Sequence, residues 1–122
     1  YKELDMTLDE LLSKTYNKME YNCFHFMLDA YEFFYGENIK DVFMEFLQSG
    51  LTTRRKTTMF RKCRREDAQI VLINYWNGLH CGLVVNGRLL HLTEERDVRW
   101  DTIQQAELLS LKSRYYEYYK DN

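Results

Sequence analysis

The dipeptide Asn-Gly occurs twice in this chain, at Asn77-Gly78 and Asn86-Gly87, each time between runs of apolar and β-branched residues. A tight hairpin turn of the common primed type needs positive φ at both central residues, and Asn-Gly adopts it most readily. Gln69–Tyr75, Gly78–Val85 and Arg88–Leu92 are therefore expected to form a three-stranded antiparallel meander with turns at those two pairs. A two-residue loop at 86–87 pairs Val85 with Arg88, Val84 with Leu89, Leu83 with Leu90 and Gly82 with His91. Side chains alternate along a strand, so His80, Gly82, Val84, Leu89 and His91 share one side of the ribbon, and Cys81 faces away from His80. His80 and His91 become diagonal neighbours with Cα atoms roughly 7–8 Å apart, and Gly82 puts no side chain between them.

Before Gln69 the periodicity is helical. Thr7-x-x-Glu10 reads as a capping box ahead of Leu8, Leu11 and Leu12. Asn22 is placed to cap a helix from Cys23 to about Tyr35, with Gly36 as its stop. Cys23, Phe26, Met27, Ala30, Tyr31 and Phe34 make that helix apolar on most sides, hence central. Ile39, Val42, Phe43, Phe46 and Leu47 form an i, i+3, i+4 stripe between Asn38 and Gly50, the signature of a core-facing helix. After the meander, Asp97–Trp100 fits a further strand, Thr102–Lys112 a helix and the tyrosine-rich Arg114–Tyr119 a last strand. Helices first and strands second imply an α+β fold with the helices on one face of an antiparallel sheet. The chain has no proline, repeat or low-complexity linker, so residues 1–122 read as one domain. A hydrophobic content of 45% suffices for a core. No apolar run approaches the roughly 18 residues of a membrane helix, and no membrane partner is expected.

Cys23, Cys63 and Cys81 are widely spaced without a CxxC, a poor zinc signature. Cys23 differs from the others in following a helix cap directly, where the positive end of the helix dipole favours thiolate. A thiol, a histidine able to take its proton and a second polar group to hold that histidine make an activated nucleophile. Each residue alone has a plain structural reading, since cysteine is often buried and a strand histidine is usually a satisfied core or surface group. The hairpin register, however, ties His80 to His91 without reference to Cys23. The combination points to acyl transfer at an amide or ester. His25 lies about 200° around the helix from Cys23 and is not expected to act as its base. Cys63 and Cys81 read as structural.

Seven of the 17 basic residues fall between Arg54 and Arg65. Such a run can be a patch for a polyanion or a solvated loop balanced by acidic helices. With only Phe60 as aromatic company, the loop reading is preferred. The run is expected to be a mobile or partner-facing connection, with no nucleic acid as partner.

From about Thr7 to Tyr119 the chain resembles the NlpC-like, papain-like cysteine peptidases, in particular compact versions associated with phage tails. Leu11–Tyr16 is similar to the family's segment ending in a tyrosine upstream of the nucleophile. Asn22-Cys23-Phe24-His25-Phe26 resembles the opening of its central helix, and Glu66–Leu72 the segment that starts its sheet. His80-Cys81-Gly82 through His91 resembles its His-x-Gly hairpin with a second histidine. The resemblance implies a papain-like fold with Cys23 as nucleophile, His80 as base, His91 as its orienter and Tyr16 lining the site as an oxyanion donor. It implies a thioester acyl-enzyme and no metal or organic cofactor. Its implied substrate is the peptide stems of bacterial peptidoglycan, cut beside γ-linked D-glutamate. The implied place is the tail of a phage virion made in the bacterial cytoplasm and acting at the host wall, with other tail proteins as partners. The chain departs from the family in lacking a Gly-rich stretch before the cysteine and a Ser-Gly pair after it, and in having Glu66 where glycine is usual. A related thiol amidase or acyltransferase, a non-catalytic tail or assembly protein, and a nucleic-acid module built on Arg54–Arg65 are the alternatives.

Overall fold

A computed structural model describes residues 6–51 and 59–119. Three helices come first: α1 (Leu8–Leu12), α2 (Cys23–Tyr35) and α3 (Lys40–Gln48). Each starts on a polar side chain near its first turn. The Thr7 hydroxyl accepts from the Glu10 backbone N–H at 3.2 Å. The Asn22 side chain accepts from the N–H of Phe24 at 3.0 Å, and the Asn22 N–H donates back to His25 Nδ1 at 3.0 Å. The Asn38 side chain accepts from the Lys40 N–H at 3.0 Å. Gly36 ends α2 at φ 78°, a conformation that favours glycine.

Six strands follow: β1 (Phe60–Lys62), β2 (Ile70–Tyr75), β3 (Gly78–Val85), β4 (Arg88–Thr93), β5 (Asp97–Thr102) and β6 (Lys112–Tyr118), with helix α4 (Ile103–Leu108) before the last. They form one sheet in the order β1-β6-β2-β3-β4-β5, every neighbour antiparallel. The architecture is α+β.

Leu72, Cys81, Leu83, Leu90 and Leu92 face α2 and α3, whose Phe26, Met27, Tyr31, Phe43 and Phe46 complete the larger core. The other side is covered as well. Val71, Ile73, Val84 and Leu89 pack against Ile103 and Ala106 of α4. The expectation that helices occupy one face is therefore corrected. Thr102 and Gln105 cap α4 reciprocally and aim its i, i+3 pair at the sheet.

Other details also differ. Asn86 and Gly87 have φ 51° and 76°, as their turn type requires. In the first hairpin, however, Tyr75 pairs with Gly78, so the turn residues are Trp76 and Asn77 and not Asn77-Gly78. This register sets Ile70 opposite Leu83 and Leu72 opposite Cys81, keeping apolar partners on the α2 side. The last helix stops at Leu108, where Thr102–Lys112 was expected, because Leu111 already bonds to the Asn74 carbonyl and leads into β6.

The basic stretch is also not a simple loop. Phe60 is 1% exposed and stacks on Phe46 at 4.9 Å, which draws Phe60–Lys62 into the sheet as β1. Arg61 pairs with Glu117, Arg64 with Asp67 and Arg65 with Glu107. Arg54, Arg55 and Lys56 lie outside the described residues.

Candidate active site

Cys23 is the first residue of α2, and with Tyr16, Tyr75, His80, His91 and Glu94 it lines an open cavity of about 640 Å³. The β3–β4 ladder runs from Val85↔Arg88 to Leu83↔Leu90, as the turn predicts, and stops there, so the expected Gly82–His91 pair is not part of it. The strands are still close. A Cβ on Gly82 would stand 3.1 Å from the Cβ of His91 and 2.5 Å from Leu89 Cδ1, so glycine is what lets the strands lie this close without moving the Leu89 side chain. Across this gap His80 Nε2 and His91 Nδ1 are 2.8 Å apart.

The file of hydrogen bonds continues into β5. His91 Nε2 is 2.8 Å from Asp101 Oδ2, and Arg99 donates to Asp101 Oδ1 at 3.0 Å. Burial pushes the Asp101 carboxyl up, but the hydrogen bonds from His91 and Arg99 and the charge of Arg99 outweigh it and hold the group below its ordinary range. Asp101 is thus a carboxylate and can only accept, which puts a proton on His91 Nε2. Burial, helped by the charges of His80 and Arg99 and opposed by the Asp101 bond, holds the His91 pKa below that of an ordinary histidine. A neutral His91 then presents Nδ1 as an acceptor to His80 Nε2–H. That leaves His80 Nδ1 to serve the thiol.

The Cys23 thiol is lowered to about 4. The neighbouring Cys81 thiol, as a donor to the anionic sulfur, is the largest cause. Burial opposes it, and the hydrogen bond and charge of His80 and the Cys81 backbone reinforce it. Cys81 moves the other way, its pKa raised by its complete burial and by its bond to Cys23. Its single S–H is directed at the Cys23 carbonyl oxygen, 3.3 Å away. Cys81 does face away from His80, but that side of β3 is the side on which α2 begins. Cys81, read as structural, is fully buried there. Strand parity held the signal, since the same alternation that joins the histidines sends Cys81 towards the helix carrying Cys23.

Tyr16 lines the cavity as expected. Its backbone N–H donates to Asp97 Oδ1 at 2.9 Å, with Asp97 at a positive φ of 53°. Burial, then Glu94 and Cys23, raise the Tyr16 phenol, so it keeps its proton and remains a donor. His25 lies outside the cavity lining and serves the helix cap. Cys63 is half-buried, its pKa raised by burial and by Glu117 and Asp67. Asp101, Arg99 and Tyr75, whose ring lies 6.0 Å from that of His80, are the residues the sequence reading missed. Ending β5 at Trp100 hid Asp101. Had the strand run two residues further, parity would have put Arg99 and Asp101 on the His91 side.

Among the described residues no three His, Cys, Asp or Glu side chains converge as a metal ion requires, and no helix is long and apolar enough to cross a membrane. Compared with known protein families, with curated proteins and with solved structures, the chain matches none of them.

Proposed function

We propose that this chain is a cysteine hydrolase that cleaves amide bonds in the peptide stems of bacterial peptidoglycan, an NlpC-like enzyme of papain-like fold carried by a phage tail. The observation that supports a hydrolase best is the directed hydrogen-bond file through His80, His91 and Asp101, beside a low-pKa thiol at a helix start. The papain-like reading is supported by a thiol at the first turn of a central helix packed on an antiparallel sheet that supplies the base. The cavity is of the size that takes small ligands and short peptide segments, roughly 300–1,000 Å³.

In this reading the thiolate attacks the carbonyl carbon. The oxyanion is met by the Cys23 backbone N–H and the protonated Tyr16 phenol. His80 hands the Nδ1 proton to the leaving amine, and water then hydrolyses the thioester with His80 as general base. His91 and Asp101 keep the His80 ring and its tautomer fixed through both half-reactions.

The test offers purified protein to walls from several bacterial hosts and measures released peptide fragments. Wild type is expected to release them, Cys23→Ala to release none while remaining folded, and His80→Ala to be nearly as impaired. If no wall yields fragments and Cys23→Ala supports full infectivity, the non-catalytic tail reading replaces this one.

A further inference from the structure

Cys81 is adjacent to His80, yet its side chain enters the core beneath the start of α2 and is 0% exposed. Its neighbours in that core are chiefly leucine and aromatic side chains, which require no thiol. What the thiol adds is a donor, 3.3 Å from the carbonyl oxygen of Cys23. Within a helix that carbonyl already receives an N–H four residues on, and its second lone pair is free for Cys81.

We propose that Cys81 is a positioning residue of the site, whose S–H serves the Cys23 carbonyl while the nucleophile is protonated or acylated and turns to the Cys23 sulfur when that is a thiolate. The inference rests on Cys23 being the working thiolate, and not on any particular substrate. A thiol is a weak donor to a neutral oxygen, but its bond to an anionic sulfur is charge-assisted and stronger. Cys81 cannot ionise in turn, because a second thiolate would be fully buried beside the first. The two sulfurs therefore share one proton, held by Cys81. The opposite shifts of the two thiols agree with this arrangement. The donor also fixes the first turn of α2, so the nucleophile is aimed and activated by the same group.

The test needs no substrate. Iodoacetamide alkylation of Cys23, identified by peptide mapping, is followed against pH in wild type, Cys81→Ala and Cys81→Ser, with Cys63 as internal reference. Removing the donor should move the acid limb of the Cys23 profile to higher pH. On the acid side of that limb, alkylation should slow about tenfold for each unit of upward shift. Serine, which retains a donor, should restore most of the wild-type profile. Should the alanine variant not fold, Cys81→Val fills the space without a donor and replaces it in the comparison with serine. A donorless variant whose profile superimposes on wild type, or a serine variant no better than the donorless one, overturns the proposal. Peptidoglycan cleavage plays no part in this readout, so the inference and the proposed function fail separately.

Discussion

Asp101 decides which way the protons point. An asparagine there would present an N–H to His91 Nε2 and force the proton onto His91 Nδ1. His80 Nε2 would then have to accept, and a neutral His80 would carry its proton on Nδ1, unable to take one from the thiol. Asp101→Asn is therefore expected to slow substrate turnover by about tenfold to a hundredfold. Asp101→Ala leaves His91 free to choose its tautomer and should lose less. Steady-state kinetics on the two variants checks the order, and alanine proving worse would count against the tautomer argument. The Cys23 shift adds a second expectation. Alkylation of Cys23 in wild type should stay fast from neutrality down to near pH 4 and fall only below it, whereas His80→Ala should move that fall upward. At this scale the His80–His91 contact was legible, because one Asn-Gly turn sets the register of both residues. Asp101 was not, because strand ends are frayed in propensity even where pairing is firm, as it is here at Leu89↔Asp101.

Helix α2 places Cys23, and its start is held from both directions. Asn22 caps the N–H groups of Phe24 and His25, and His25 Nδ1 receives the Asn22 N–H at 3.0 Å while its ring stacks on Tyr21 at 5.9 Å. Helical angle alone separated His25 from the chemistry, but it could not reveal this role, since the return bond of a capping box usually comes from Glu or Gln. His25→Ala is expected to cost about 1 kcal/mol of stability and to leave the pH profile of Cys23 alkylation unchanged. Asn22→Ala should lower stability by a similar amount and should also slow that alkylation, because it loosens the turn carrying the thiol. Thermal melts paired with alkylation rates separate the two cases. The hairpin has a comparable pivot in Gly82. A methyl there would meet Leu89 Cδ1 at 2.5 Å and His91 Cβ at 3.1 Å, so the Leu89 side chain would have to turn aside and His91 to give by a few tenths of an ångström. Helix limits such as Asn22 and Gly36 were readable because capping chemistry is local. Strand β1 was not, because its pairing with β6 joins segments far apart in sequence and is selected by burial of Phe60.

At the scale of the whole molecule, ionisation and folding are linked. The charged state of Cys23 is stabilised by α2, β3 and, through the histidines, β4 and β5. None of these partners is assembled in the unfolded chain. The folded pKa of about 4 lies below the ordinary thiol value of 9.0, so this is a depressed acid. Its contribution to stability is fully present above the unfolded pKa and is lost as pH falls towards the folded one. Between about pH 5 and pH 8 the folded protein carries a thiolate where the unfolded chain carries a thiol, so stability should rise with pH on this account by at most about 1.4 kcal/mol per unit. Cys23→Ser removes the titrating group and keeps the volume nearly constant. Asp101 and the other carboxylates titrate in both proteins and cancel in the difference. The difference in unfolding free energy between wild type and Cys23→Ser, taken from urea titrations across that range, should therefore grow with pH in favour of wild type. Parallel curves would mean that the pair formed by Cys23 and His80 loses no net proton on folding. Fast alkylation of Cys23 at neutral pH would then place the proton on His80, and slow alkylation would mean that the activated thiolate has to be given up.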